Sequence, residues 1–172
     1  AISVVAAAAL IPFILFYEGG DPLYVAGRTL YMRATEPKLL TFVLFTGPDN
    51  TGVTHNWAIK TEGTGTELAV LKVTLINAQS NSIRVIVDEG AAELRTGDDQ
   101  THKPIDLIKR TYQTETTDPR SSITGFVPLW TTVTLDAGKQ VEGYMVFEVP
   151  AGSTFKEFRW NATDSAIVRF GG

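Results

Sequence analysis

Hydrophobic and polar positions divide this chain at residue 17. From Ala1 to Tyr17 (AISVVAAAALIPFILFY) the one polar side chain before the tyrosine is Ser3. At about 1.5 Å rise per residue, a helix of that length would reach roughly 25 Å, slightly short of the roughly 30 Å hydrocarbon core of a bilayer. An amphipathic helix resting on a domain would show a polar residue every three or four positions, and none occurs between Val4 and Phe16. The run therefore predicts a hydrophobic helical stem over residues 1–17, sheltered by a bilayer or by copies of itself. Pro12 predicts a kink in it, because proline removes a backbone donor and crowds the carbonyl four residues earlier. Glu18-Gly19-Gly20-Asp21-Pro22 ends the stem as a neck over 18–22, with Gly19 and Gly20 as its hinge.

After the neck the period changes to that of strands. Short runs rich in β-branched and aromatic residues predict strands near 23–33, 39–46, 54–61, 68–78, 82–88, 91–95, 123–135, 140–149, 155–160 and 166–170. Most are closed by turn residues, among them Gly47-Pro48-Asp49-Asn50, Asp136-Ala137-Gly138-Lys139 and Pro150-Ala151-Gly152-Ser153. Alternation sets Met145, Phe147 and Val149 on one face of their strand, with Tyr144, Val146 and Glu148 on the other. It likewise sets Val73 and Leu75 opposite Lys72, Thr74 and Ile76. About ten short strands at this spacing favour a sandwich, a single domain over residues 23–172. Residues 97–122 lack a period, apart from a short helix or strand near 105–111, and long irregular stretches of this kind usually carry function.

Composition narrows the reading. The net charge is −4 with Lys and Arg scattered singly, so the basic footprint that nucleic-acid binding requires is missing. The chain has no cysteine. Disulfides, thiolate metal sites, a cysteine nucleophile and a lipidated cysteine at the amino terminus are thereby removed, so a membrane lipoprotein is not expected.

Candidate chemistry is sparse. His55 and His102 are the only histidines, and neither stands in a nucleophile motif or at metal-ligand spacing. The expectation is a protein that is not an enzyme and needs no cofactor or metal. Asp88, Glu89 and Glu93, and the pair Asp98-Asp99, read as solvated turns rather than a cation site. Trp57, Trp130 and Trp160 fall in predicted strands and read as packing rather than a sugar-stacking face. Asn161-Ala162-Thr163 is a sequon, which makes Asn161 a candidate for N-glycosylation in an exported chain.

Two resemblances join these observations. The segment AISVVAAAAL, beginning without an initiator Met or a basic leader, resembles the mature amino-terminal segment of archaeal type IV pilins and archaellins. Val5 stands where bacterial pilins carry a glutamate, which leaves the archaeal pattern. Leu71-Lys72-Val73-Thr74-Leu75-Ile76-Asn77, then Leu135-Asp136-Ala137-Gly138-Lys139, Gly143 through Pro150 and Phe158-Arg159-Trp160 look like the telokin-like, immunoglobulin-type extracellular domain of exported bacterial and archaeal proteins. Together they imply a mainly β fold with one N-terminal hydrophobic α-helix: an immunoglobulin-like antiparallel β-sandwich on a helical stem.

The function so implied is a structural pilin of an extracellular type IV pilus-like filament used in adhesion or surface attachment. Its partners would be the membrane before assembly and then copies of itself in a helical homopolymer, with a glycan at Asn161 and no nucleic acid. The filament-core interface would be Ile2, Val4, Val5, Ala6, Ala7, Ala8, Ala9, Leu10, Ile11, Phe13, Ile14, Leu15, Phe16 and Tyr17, the alanines admitting close helix approach. Two other functions fit the same residues. One is a membrane-anchored extracellular immunoglobulin-like binding module, which requires a pocket. The other is a pilin that polymerises by donating a strand.

Overall fold

The computed structural model describes residues 25–27, 29–78 and 81–171. The stem at 1–17 with its interface residues, the kink at Pro12 and the hinge at Gly19 and Gly20 lie outside these. Every strand pairing between the named strands is antiparallel, and the strands form four sheets.

The central sheet runs β1 (Val25–Ala26), β2 (Leu30–Ala34), β6 (Thr66–Asn77), β12 (Gln140–Pro150), with β3 (Lys38–Leu40) also paired to β6. Its two long strands are in register from Gln140 opposite Ile76 to Pro150 opposite Thr66. A second sheet has β5 (Thr54–Lys60) between β4 (Phe42–Pro48) and β10 (Thr111–Gln113). A third pairs β7 (Ser82–Val87) with β11 (Thr131–Asp136). The fourth has the order β14 (Ala166–Arg169), β13 (Phe155–Trp160), β8 (Ala92–Thr96), β9 (Thr101–His102). The one helix among the described residues is α1 (Leu107–Arg110), capped by the Asp106 carboxylate, which accepts from the amides of Ile108 and Lys109.

Alternation explains the larger core. Met145, Phe147 and Val149 of β12 and Ala69, Leu71, Val73 and Leu75 of β6 turn one way. There they meet Val85 and Leu135 of the third sheet and Leu94, Phe158 and Trp160 of the fourth. A smaller core lies on the opposite face, where Leu68, Val70 and Val146 meet Val43 and Phe45 of β4, Ile59 of β5, Leu107 of α1 and Phe126. Burial of each large side chain is worth about 1.5–3 kcal/mol. The unbroken run Leu68-Ala69-Val70-Leu71 thus feeds both cores. Further along β6, Lys72 and Thr74 on the second face pair instead with Glu142 of β12.

These observations correct the expected fold class. Where a two-layer immunoglobulin-like sandwich on a helical stem was expected, the described residues form a mainly β structure of several antiparallel sheets, the central one covered on both faces along part of its length. The only helix described is the four residues of α1, and no helix among the described residues is long and apolar enough to cross a membrane. The expected stem over residues 1–17 lies outside the described residues; a run that is apolar throughout has no polar phase, so its pattern alone carries no helical period. The sandwich expectation failed because it took alternation from Lys72 onward and ignored the doubly buried run just before it.

Strand 123–135 also contracts, to β11. Gly125 and Pro128 interrupt it, and Val127 and Leu129 instead lie against Tyr144 at the free edge of β12. The ambiguous 105–111 stretch forms both a helical turn and the start of β10.

Candidate functional site

A concavity among the described residues is built on the outer face of the β4–β5 hairpin. Val43 and Phe45 point into the smaller core, so Leu44 and Thr46 point away from it, beside Ala58 and Asn56 on β5. The hairpin turn is set by Asp49. One carboxylate oxygen accepts from the Thr51 hydroxyl at 2.6 Å, the Thr51 amide at 2.8 Å and the Val53 amide at 3.0 Å, and the other meets His55 Nε2 at 3.0 Å. The Thr51 hydroxyl, ahead of the remaining donors, holds the Asp49 carboxyl well below the usual aspartate range. His55 Nδ1 lies 3.0 Å from Gln113 Nε2, which ties the turn to the end of β10.

From there residues 114–124 arch across the outer face. The Thr114 amide extends the β10 ladder to the Asn56 carbonyl at 3.0 Å. At the far side the Leu44 amide donates to the Ser121 carbonyl and the Ile123 amide to the Leu44 carbonyl, both at 2.8 Å. Asp118 stiffens the bend, accepting from the Arg120 amide at 3.0 Å and the Ser121 hydroxyl at 3.4 Å. Leu44 is buried on a face that would otherwise be open.

Between arch and hairpin lies a groove of about 370 Å³ lined by Leu44, Phe45, Thr46, Asn56, Thr116, Thr117, Asp118, Pro119, Ser122 and Thr124. That volume falls within the roughly 300–1,000 Å³ of small-molecule sites. Its lining is hydroxyl-rich with an apolar floor, and Asp118 is its one charged side chain.

No histidine lines the groove, and the nearest imidazole–carboxylate pair stands in the hairpin turn. Asp49 and His55 form a His–carboxylate pair, yet the neighbouring Thr51 hydroxyl donates to Asp49 and not to the imidazole, so no base stands over a nucleophile. His102 is in β9, apart from His55. Among the described residues no three His, Asp or Glu side chains gather to hold a metal. Three of the acidic candidates are engaged in local contacts: Asp88 accepts from the Gly90 amide, Asp98 from the Thr96 hydroxyl, and Asp99 pairs with Arg95 and Lys156.

Trp160 is in the larger core, Trp130 packs against both cores, and Trp57 packs on the smaller one with its indole N–H on the Gly47 carbonyl at 2.9 Å. Asn161 is exposed in the β13–β14 turn. Its sequon partner Thr163 has φ 65° and gives its hydroxyl to the Arg84 carbonyl at 3.2 Å.

Sequence reasoning singled out 97–122 as the functional stretch but missed Thr46 and Asn56. The one available signal was the hydroxyl-rich string Thr114 to Thr124, whose landing place depends on pairing across some 75 residues and is invisible locally.

No protein-family model matches this sequence, and neither does any curated protein. Among solved structures, the chain is similar to the ycdA protein of Bacillus subtilis, itself described as a putative lipoprotein. The TM-score is 0.52 at 14% identity, over 90% of this chain and 39% of that one. It is also similar to the yjhA protein of the same organism, with a TM-score of 0.47 at 15% identity over 84% of this chain and 82% of that one. The chain thus spans well under half the length of ycdA, and the likeness describes the fold alone. The expected kinship with archaeal type IV pilins joined to a telokin-like domain is corrected on the likeness to ycdA: what the chain resembles is a β-type protein described as a putative lipoprotein.

Proposed function

We propose that this chain is the binding module of a surface-tethered extracellular protein, holding its ligand in the groove beneath the 114–124 arch. The observation that carries the reading is that groove, a concave, hydrogen-bonding site built by a long irregular segment on a rigid hairpin. The apolar run at 1–17 supports a tether, since seventeen residues without a charge need shelter from water. The fold shared with ycdA is compatible with a surface or extracellular location. The reading involves no reaction, in keeping with a His–Asp pair that lacks a nucleophile.

Fractionation and sedimentation test it. Protease treatment of intact cells should clip the β domain, and the full chain in detergent should sediment as one monodisperse species. Protection inside the cell, or assembly into ordered polymers in shed surface material, would overturn it.

A further inference from the structure

We propose that the groove is a carbohydrate site, selecting uncharged, hydroxyl-rich oligosaccharides and refusing anionic ones. This rests on the binding-module reading and supplies its ligand class. Thr46, Asn56, Thr116, Thr117, Ser122 and Thr124 line the groove and are all exposed. Hydroxyls both donate and accept, as sugar hydroxyls do, and a carboxamide adds two donors and an acceptor. The Thr46 hydroxyl donates to Asn56 Oδ1 at 3.1 Å, which orients the Asn56 amide and leaves its NH₂ group for a ligand. Leu44 and Pro119 give the C–H faces of a sugar ring an apolar floor.

Charge decides against anions. No Lys or Arg lines the groove, while Asp118 does. Arg120 has its Nε 3.6 Å from that same carboxylate and is otherwise in solvent. An acidic polymer would set like charge against Asp118 with no cation of the lining to offset it.

Backbone geometry decides against an extended peptide. Leu44 turns its N–H and C=O toward 121–123, so Thr46, two residues on, turns its own the same way at the edge of β4. Pro48 comes next on that side and has no N–H. One residue is too little edge for strand addition, but it adds a donor and an acceptor to a sugar site.

Calorimetric titration of the full chain in a zwitterionic detergent, free of sugar headgroups, tests the assignment. The probes are short neutral gluco-, manno- and chito-oligosaccharides, oligogalacturonate of equal length, and a Ser/Thr-rich peptide. At least one neutral oligosaccharide should bind and oligogalacturonate should not. Asn56→Ala and Thr117→Val should each weaken binding about ten-fold, the loss of one hydrogen bond, while the thermal midpoint stays put. Silence of every neutral sugar at millimolar concentration, equal affinity for oligogalacturonate, or indifference to both variants would overturn the proposal. Binding of the peptide alone, weakened by those variants, would overturn the ligand class and leave the binding module standing.

Discussion

At the scale of single residues, Glu148 shows how one side chain on the polar side of a strand can hold three elements. Its Oε1 accepts from the Gly63 amide at 2.6 Å, the Thr66 hydroxyl at 2.7 Å and the Glu62 amide at 2.9 Å. Its Oε2 meets Arg110 at 2.9 Å, and that guanidinium also donates to the Lys60 carbonyl at 2.6 Å. Burial opposes the charge, but the Gly63 amide, Arg110, Thr66 and the Glu62 amide together outweigh it and bring the carboxyl down from 4.5 to about 2. A carboxyl depressed on folding contributes stability above its unfolded value, near 4.5, and loses it as pH falls toward about 2. Glu148→Gln should therefore cost about 1–3 kcal/mol at neutral pH by denaturant titration. It should also flatten the loss of stability between those two pH values, and an unchanged acid limb would refute the assignment. Thr131 presents the opposite case. At φ 73° it is a β-branched residue in the left-handed region at the start of β11, so Thr131→Gly should raise stability by about 1 kcal/mol, roughly 2–4 °C in thermal midpoint.

At the scale of elements, the pairing of β6 with β12 organises the rest, and one glycine admits the segment that covers its edge. A Cβ on Gly143 would stand 2.9 Å from both the Val127 carbonyl and the Leu129 Cβ. Backbone cannot swing aside as a side-chain tip can, so Gly143→Ala should cost about 1–3 kcal/mol, as overpacking does. Hydrogen exchange should show it first at the amides of Leu129 and Tyr144, which bond across this approach. Most strands were legible because turn chemistry and alternation coincide, as where Gly138 at φ 72° and Gly152 at φ 74° bracket β12. The arch was not. Thr114 to Thr124 carries no period, and what fixes it is two backbone bonds to Leu44, a residue whose own sequence neighbourhood looks like ordinary strand. The same limit hid the groove: its hydroxyls read as solvated loop until the fold brings Thr46 and Asn56 beneath them.

At the scale of the whole molecule, the two cores share their central wall, and this bears on how a groove mounted on the outer layer stays rigid. Leu68, Val70 and Val146 belong to the smaller core while Ala69, Leu71, Met145 and Phe147, their immediate neighbours on the same strands, belong to the larger. Loosening one side should therefore loosen the other, because β6 and β12 cannot lose register on one face alone. The central sheet is also held independently of packing: Asp164, in the β13–β14 turn, accepts from the Thr29 and Leu30 amides at 2.7 and 3.0 Å, fastening its β1–β2 end to the fourth sheet. Val70→Ala removes apolar volume only from the smaller core and should cost about 2 kcal/mol. If the molecule opens as one unit, native-state hydrogen exchange will accelerate by the same factor at the slowest amides of β8 and β13 as at those of β4 and β5. Acceleration confined to β4, β5 and β10 would instead mean that the layer carrying the groove opens alone, and a site on such a layer would close around its ligand rather than wait preformed.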